Sequence, residues 1–150
     1  MKIRPYQEKD KDQIINLSYR FTDIPLMEYR NREDLKAKQL ELAMNAVTSI
    51  TSDIFVVEDR DVFQGYIELT SDRDYFTNER IAYISAIAVT SGGEGKGIGK
   101  LLMAKAEEWC LDKGCKQLAL DVFKANKHAI SFYRHLGFEE EIVKMVKTLE

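Results

Sequence analysis

Glu94-Gly95-Lys96-Gly97-Ile98-Gly99-Lys100 stands between an apolar run at residues 81–89 and a helical pattern that begins at Ile98. Glycines between a strand and a helix let backbone N–H groups converge with no Cβ in the way. The helix N-terminus behind them adds unpaired donors and a partial positive charge. Lys96 and Lys100 supply charge-assisted hydrogen bonds, so the segment makes a seat for phosphate oxygens. A plain flexible turn is the rival reading of the same glycines. Two familiar phosphate loops fail on spacing. Gly95 and Gly99 are one residue too close for G-x-x-x-x-G-K-[ST], and Lys100 is followed by Leu101 rather than a hydroxyl residue. For G-x-G-x-x-G, starting at Gly93, Gly95 or Gly97, the third glycine place holds Ile98, Lys100 or Leu102.

Working outward, Ile98, Leu101, Leu102, Ala106 and Trp109 recur at helical spacing, and Lys113-Gly114 closes that helix with a basic last turn and a glycine. Residues 117–123 alternate as a strand, and Asn126 caps a helix whose stripe is Ala129, Ile130, Tyr133 and Leu136, ended by Gly137. Residues 138–149 supply final strand material. Toward the N-terminus, the apolar run at 81–89 predicts a central strand. Residues 54–58 and 62–69 predict a hairpin about Asp59-Arg60-Asp61. Residues 2–6 predict a short strand and 8–21 a helix. After Asp23-Ile24-Pro25, a cap at Asn31-Arg32-Glu33-Asp34 starts a second helix running toward Ser49. The order is strand, two helices, three strands, helix, strand, helix, strands: a mixed α/β sheet with helices packed on it.

With 150 residues the chain has the length of one domain, expected to span 1–150. A domain of this size buries roughly 70% of its unfolded surface and needs no disulfide or metal staple. Net charge is −3 with both signs interspersed, and the absence of a basic block argues against a nucleic-acid partner. No run of about 18 apolar residues predicts a membrane span, and MKIRPYQEKDKDQ has no apolar core of a secretory signal. Cys110 and Cys115 form no ligand spacing, and reduced thiols in a cytoplasmic protein are expected. His128 and His135 lie seven apart on one helix, which is not a metal pair, and no metal is expected.

The loop resembles the acetyl-CoA pyrophosphate loop of the GNAT (GCN5-related N-acetyltransferase) superfamily, Q/R-x-x-G-x-G/A. Gly97 and Gly99 stand at its glycine places, while Glu94 departs where Gln or Arg is usual. A second pattern follows in the right order: Asn126, Ala129, Phe132-Tyr133 and Leu136-Gly137-Phe138 are similar to the family's N-x-x-A-x-x-F-Y-x-x-x-G-F. The resemblance implies a mostly antiparallel sheet of six to seven strands with about four helices, two strands splaying to form the acyl-CoA cleft. It implies cofactor binding by Glu94, Gly95, Lys96, Gly97, Ile98, Gly99, Lys100, Asn126 and Tyr133, with Ile87, Ala88 and Val89 beside the pantetheine arm. Tyr133 is implied as the general acid that protonates the leaving thiolate, although its place on the apolar stripe also suits a packed core tyrosine.

The implied activity is transfer of an acetyl group from acetyl-CoA to a primary amine, of a small molecule or a protein, directly in a ternary complex. An amine of pKa near 10.4 is neutral only about once in 2,500 molecules at pH 7, a handicap of roughly 4.6 kcal/mol. A base lessens it. Glu68, on the strand expected to pair with residues 81–89, is the candidate general base; Asp121, Tyr83 and a water chain are alternatives. The acidic segment between Asp23 and Ser49 is the expected acceptor wall, and a homodimer is left open. The competing reading is a noncatalytic acyl-CoA sensor or partner-docking module, which binds without turnover.

Overall fold

The β-rich runs at 54–58 and 62–69 fold as a hairpin, β2 (Asp53–Asp59) and β3 (Val62–Arg73), in the computed structural model, which describes residues 1–150. Arg60 (φ 52) and Asp61 (φ 64) both take positive φ between the paired Asp59 and Val62. This two-residue turn matches the right-handed twist of its strands. β1 (Lys2–Pro5) lies antiparallel to β2, and β4 (Arg80–Val89) antiparallel to β3. β5 (Leu118–Leu120) joins β4 in parallel, giving the order β1-β2-β3-β4-β5.

Strand alternation sends side chains to two faces, and each face has its own core. On one, Val57, Ile67, Leu69 and Ile84 meet Leu102 and Ala106 of α3 (Ile98–Asp112). Leu102 and Ala106 are fully buried, so truncating Leu102 to alanine removes packing worth about 2–5 kcal/mol. On the other, Val56, Tyr66 and Ala88 meet Ile14 and Leu17 of α1 (Lys11–Leu17) and Ala46 of α2 (Arg32–Ala46). α4 (Lys127–His135) lies on the α3 side, where Phe132, Tyr133 and Leu136 pack against the first core.

Three expectations need correction. The helix foreseen over 8–21 is broken into a 3-10 turn at Glu8–Asp10, α1, and a second 3-10 turn at Ser18–Thr22. Ser18 and Thr22 explain the second break. Their hydroxyls donate to the carbonyls of Ile15 and Tyr19, each at 2.6 Å, and compete with the helical ladder. The strand expected over 117–123 shortens to three residues. Residues 138–149 form no strand, so the sheet has five strands rather than six to seven. No backbone hydrogen bond is made beyond Phe138, and Ile142, Val143, Met145 and Leu149 are exposed. Glu139, Glu140 and Glu141 in succession are poor strand formers, and with no ladder partner the apolar residues after them gain no buried face.

A buried ion cluster ties β1 to β2 and to the 3-10 turn before α1. Arg4 donates to both carboxylate oxygens of Asp10 (2.8 and 2.9 Å) and to Glu58 (3.0 Å). Arg4 holds the Glu58 carboxyl below its ordinary range. Burial alone would raise Asp10, but the Arg4 bonds and the Gln7 amide bring it down.

Candidate functional site

The site begins with a mismatch between β3 and β4. Glu68 pairs with Ala86 and Leu69 with Ile84, so Ser85 is an extra residue on β4. Such a bulge bends the strand and increases its twist. Ile84 and Ile87 therefore both serve the α3-side core, while Ala86 packs in the opposite one. The β4–β5 ladder covers only Ala82, Tyr83 and Ile84, paired with Leu118, Ala119 and Leu120. It stops at the bulge. From Ser85 to Val89 the β5-facing edge of β4 has no strand partner, which leaves a cleft running from the bulge toward the glycine loop. Ile87, Ala88 and Val89 form the last part of that edge. Ala88 is buried in the α1-side core, so it is its backbone that the edge offers.

At the end of β4, the Thr90 hydroxyl accepts the Gly93 amide at 3.0 Å, turning the chain through a short 3-10 segment. A Cβ on Gly93 would meet Ile98 Cδ1 at 2.9 Å and the Gln64 carbonyl at 3.0 Å, so this glycine is needed for packing. Gly95 (φ 76) and Gly97 (φ 77) are left-handed, and Gly97 caps α3 with no side chain. The first amide of α3 to find a partner is that of Leu101, on the Gly97 carbonyl at 3.1 Å. The amides from Gly95 to Lys100 have no acceptor in the protein. They form a concave set of donors at a helix N-terminus, with the exposed Lys96 and Lys100 beside it. A diphosphate fits this donor set.

Gly99 serves a different purpose. A Cβ there would lie 3.1 Å from Phe132 Cζ, so α4 packs edge-on into the first turn of α3. The contact brings Tyr133, next in sequence to Phe132, toward the same end of the cleft. The Tyr133 ring lies between Phe132 and Phe138, with centroids 5.6 and 5.7 Å away. Its hydroxyl makes no hydrogen bond to the protein and is not among the buried unsatisfied atoms, so it remains reachable. Burial pushes it above the ordinary tyrosine range. Asn126 caps α4, its Oδ1 accepting the Ala129 amide at 3.3 Å, and the side-chain NH2 is left free.

Glu68 is separate from this group. Alternation places it with Tyr66 on the α1 side of the sheet, opposite the core that holds Tyr133. It is half-buried beside the bulge. Burial pushes its carboxyl above the ordinary range, and the neighbouring Ser52 hydroxyl pulls in the other direction. Tyr83 donates to Asp121 at 2.7 Å across the parting strands. Burial, then that bond to Asp121, raises the Tyr83 hydroxyl far above its ordinary value. Trp109 is in the core, donating to Asp53 at 2.8 Å, and His128 and His135 are exposed. Cys110 and Cys115 are buried free thiols. A cavity of about 350 Å³ lies among Tyr6, Val47, Ser52 and Phe55 and is lined by neither Glu68 nor Tyr133.

Arg20 was not foreseen. Its guanidinium, on the 3-10 turn after α1, is ion-paired with Glu94 at the start of the glycine loop. No local signal joins two residues 74 apart.

A β4 that parts from β5 and ends in a glycine nest is the arrangement implied by the loop resemblance, and the family model described as "Acetyltransferase (GNAT) family" matches residues 14–138. The chain belongs to the GNAT family. Among curated GNAT relatives, it is 26% identical over 141 residues to the uncharacterized N-acetyltransferase YhfO of Bacillus subtilis, covering 94% of this chain and 91% of that protein. Over 61 residues it is 41% identical to the thialysine N-epsilon-acetyltransferase of Bos taurus, covering 41% of this chain and 36% of the other. With the first such relatives the match spans only about a third of their length. A solved Pyrococcus furiosus protein described as an acetyl transferase superposes with a TM-score of 0.76 at 28% identity, covering 99% of both chains. An aminoglycoside N-acetyltransferase solved in complex with CoA has a TM-score of 0.73 at 20% identity, covering 98% of this chain and 93% of that one, and shares the fold.

Proposed function

We propose that this GNAT chain is an acyl-CoA-dependent N-acetyltransferase acting on a primary amine by direct transfer in a ternary complex. The observation that carries the reading is the run of unpartnered amides from Gly95 to Lys100 at the open end of the β4–β5 cleft. Bound there, acetyl-CoA supplies the activated thioester. The loop amides and Lys96 and Lys100 hold the diphosphate, Asn126 offers its free NH2, and the unpaired edge at Ile87, Ala88 and Val89 holds the pantetheine arm and offers donors to a developing oxyanion.

Tyr133 gives its proton to the departing sulfur from the α3 side. Its hydroxyl is reachable and has no partner in the protein, which leaves its proton available for transfer. Glu68 takes the amine proton, directly or through water, from the α1 side, so acid and base approach the cleft from opposite faces of the sheet. Asp121, held by Tyr83, is a second carboxylate at the parting strands and favours a cationic acceptor. The bovine relative is named for a small-molecule amine, thialysine, which supports an acceptor of that class here.

The test of the donor is a thermal-shift titration with acetyl-CoA, CoA, ATP and NAD. At 100 times its Kd a ligand stabilises the fold by about 2.7 kcal/mol, so acetyl-CoA and CoA raise Tm and the others do not. No shift with either would overturn the reading, and binding without turnover of any amine would favour the sensor.

Glu68→Gln tests the base. A carboxyl raised in the folded state stabilises the fold at low pH, and that contribution is lost as pH rises through its folded pKa. Glutamine stays uncharged throughout. The variant is therefore expected to have a higher Tm at neutral pH than the parent, while kcat falls about a hundredfold and the ascending limb of the pH profile disappears. An unchanged limb would assign the proton to another group.

A further inference from the structure

We propose that Arg20 is a donor-site residue: its guanidinium, held over the glycine loop by Glu94, binds the diphosphate of acyl-CoA. This rests on the donor reading above.

A carboxylate at position 94 repels phosphate unless it is neutralised or turned away, and the loop has Glu94 where the family pattern has Gln or Arg. The structure shows it occupied by a cation from another element. Only one guanidinium nitrogen of Arg20, Nη2, is engaged by Glu94. The planar fork has five N–H donors, and no other Arg20 bond to the protein is formed, so the remaining edge is free for phosphate oxygens.

Arg20 is also carried on a secured segment. The flanking Ser18 and Thr22 are buried, with 1% and 7% exposure, and their hydroxyls close local turns. Arg32, the first residue of α2, donates to the carbonyls of Thr22 and Ile24. The turn is thus pinned from both sides while the Arg20 side chain reaches out of it. Both partners of the ion pair are substantially exposed, 41% and 59% at the side chain. Such a pair is weak and salt-screened, so it does little to hold the fold and is readily shared with a dianion. Arg20 provides the cation that position 94 lacks, from the 3-10 turn after α1.

The experiment compares steady-state kinetics of the full chain and its Arg20→Ala, Glu94→Gln and doubly substituted variants, with acetyl-CoA and with S-acetylpantetheine, which lacks the diphosphate. Loss of a charge-assisted bond in Arg20→Ala is expected to raise KM for acetyl-CoA about 10- to 100-fold, with kcat within about twofold. KM for S-acetylpantetheine stays at the parent value. Glu94→Gln, which removes the nearby negative charge and leaves Arg20 in place, lowers KM for acetyl-CoA, and the double variant stays as weak as Arg20→Ala. Recovery of the parent KM in the double variant would overturn the proposal, because Arg20 would then only neutralise Glu94. Equal losses with both donors would also overturn it, as the mark of a displaced turn. Absence of any acetyl-CoA thermal shift in the parent would remove the donor reading itself, before the variants are compared.

Discussion

Gly97→Asp is expected to abolish measurable acyl-CoA binding while the chain stays folded. Gly97 caps α3 at φ 77, and a Cβ there meets nothing within 4 Å. The backbone cost is about 1–2 kcal/mol, at the low end for Asp, which tolerates left-handed geometry better than most residues. The functional cost is far larger, because the new carboxylate sits among the donors from Gly95 to Lys100 and repels the diphosphate they would hold. Affinity should fall more than about a hundredfold, so the ligand-induced gain of about 2.7 kcal/mol expected for the parent at 100 Kd nearly vanishes. Calorimetry and thermal shift in parallel check both halves. Gly97→Asn, uncharged and similarly shaped, should retain measurable binding. Unchanged affinity in the aspartate variant would mean that the loop is only a turn. The same substitution at Gly99 is a poorer test, since Phe132 Cζ lies 3.1 Å from the added Cβ and α4 must shift.

The second large effect is on turnover. Tyr133→Phe keeps the ring between Phe132 and Phe138 and removes a hydroxyl that has no protein partner, so stability should hardly change. Burial keeps that hydroxyl protonated well beyond neutral pH, the form a proton donor requires. A general acid contributes about 10²–10⁴ in rate, and kcat is expected to fall about a thousandfold with KM for acetyl-CoA near the parent value. Pre-steady-state measurement of thiol release separates this step from product dissociation. An unaltered kcat would show that the thiolate, with a pKa near 8.5, leaves unaided.

Much of the candidate site's backbone geometry was legible in the chain because it is local. The spacing of Gly95, Gly97 and Gly99 after an apolar run, and Asn126 before a helical stripe, are short-range patterns whose geometry follows from φ preferences and capping. The hairpin at Arg60-Asp61 was legible for the same reason. What depends on register was not. Nothing in the run Ile84-Ser85-Ala86-Ile87 marks Ser85 as the bulge, because all four residues suit a strand and only the pairing with Glu68 and Leu69 reveals the extra one. The face of Glu68 was undecidable for that reason. The final strand was over-read. The residues after Glu141 are rich in apolar, β-branched side chains, but such a run promises a strand only where a neighbouring backbone is ready to pair. Arg20 and Glu94 meet through tertiary packing alone.

The contact of Gly99 with Phe132 has a consequence for how this protein can change. It locks the loop that would grip the donor to the helix that carries the proton donor, so a substitution on either side is transmitted to the other. Variants selected for a different acyl carrier should therefore accumulate paired changes in α3 and α4. The expected acceptor wall between Asp23 and Ser49, whose helix α2 packs on the opposite face, is not part of that contact. A library that diversifies the exposed positions of that segment, with Arg20 and Glu68 kept, should be able to explore new amines while the donor half of the catalyst stays intact.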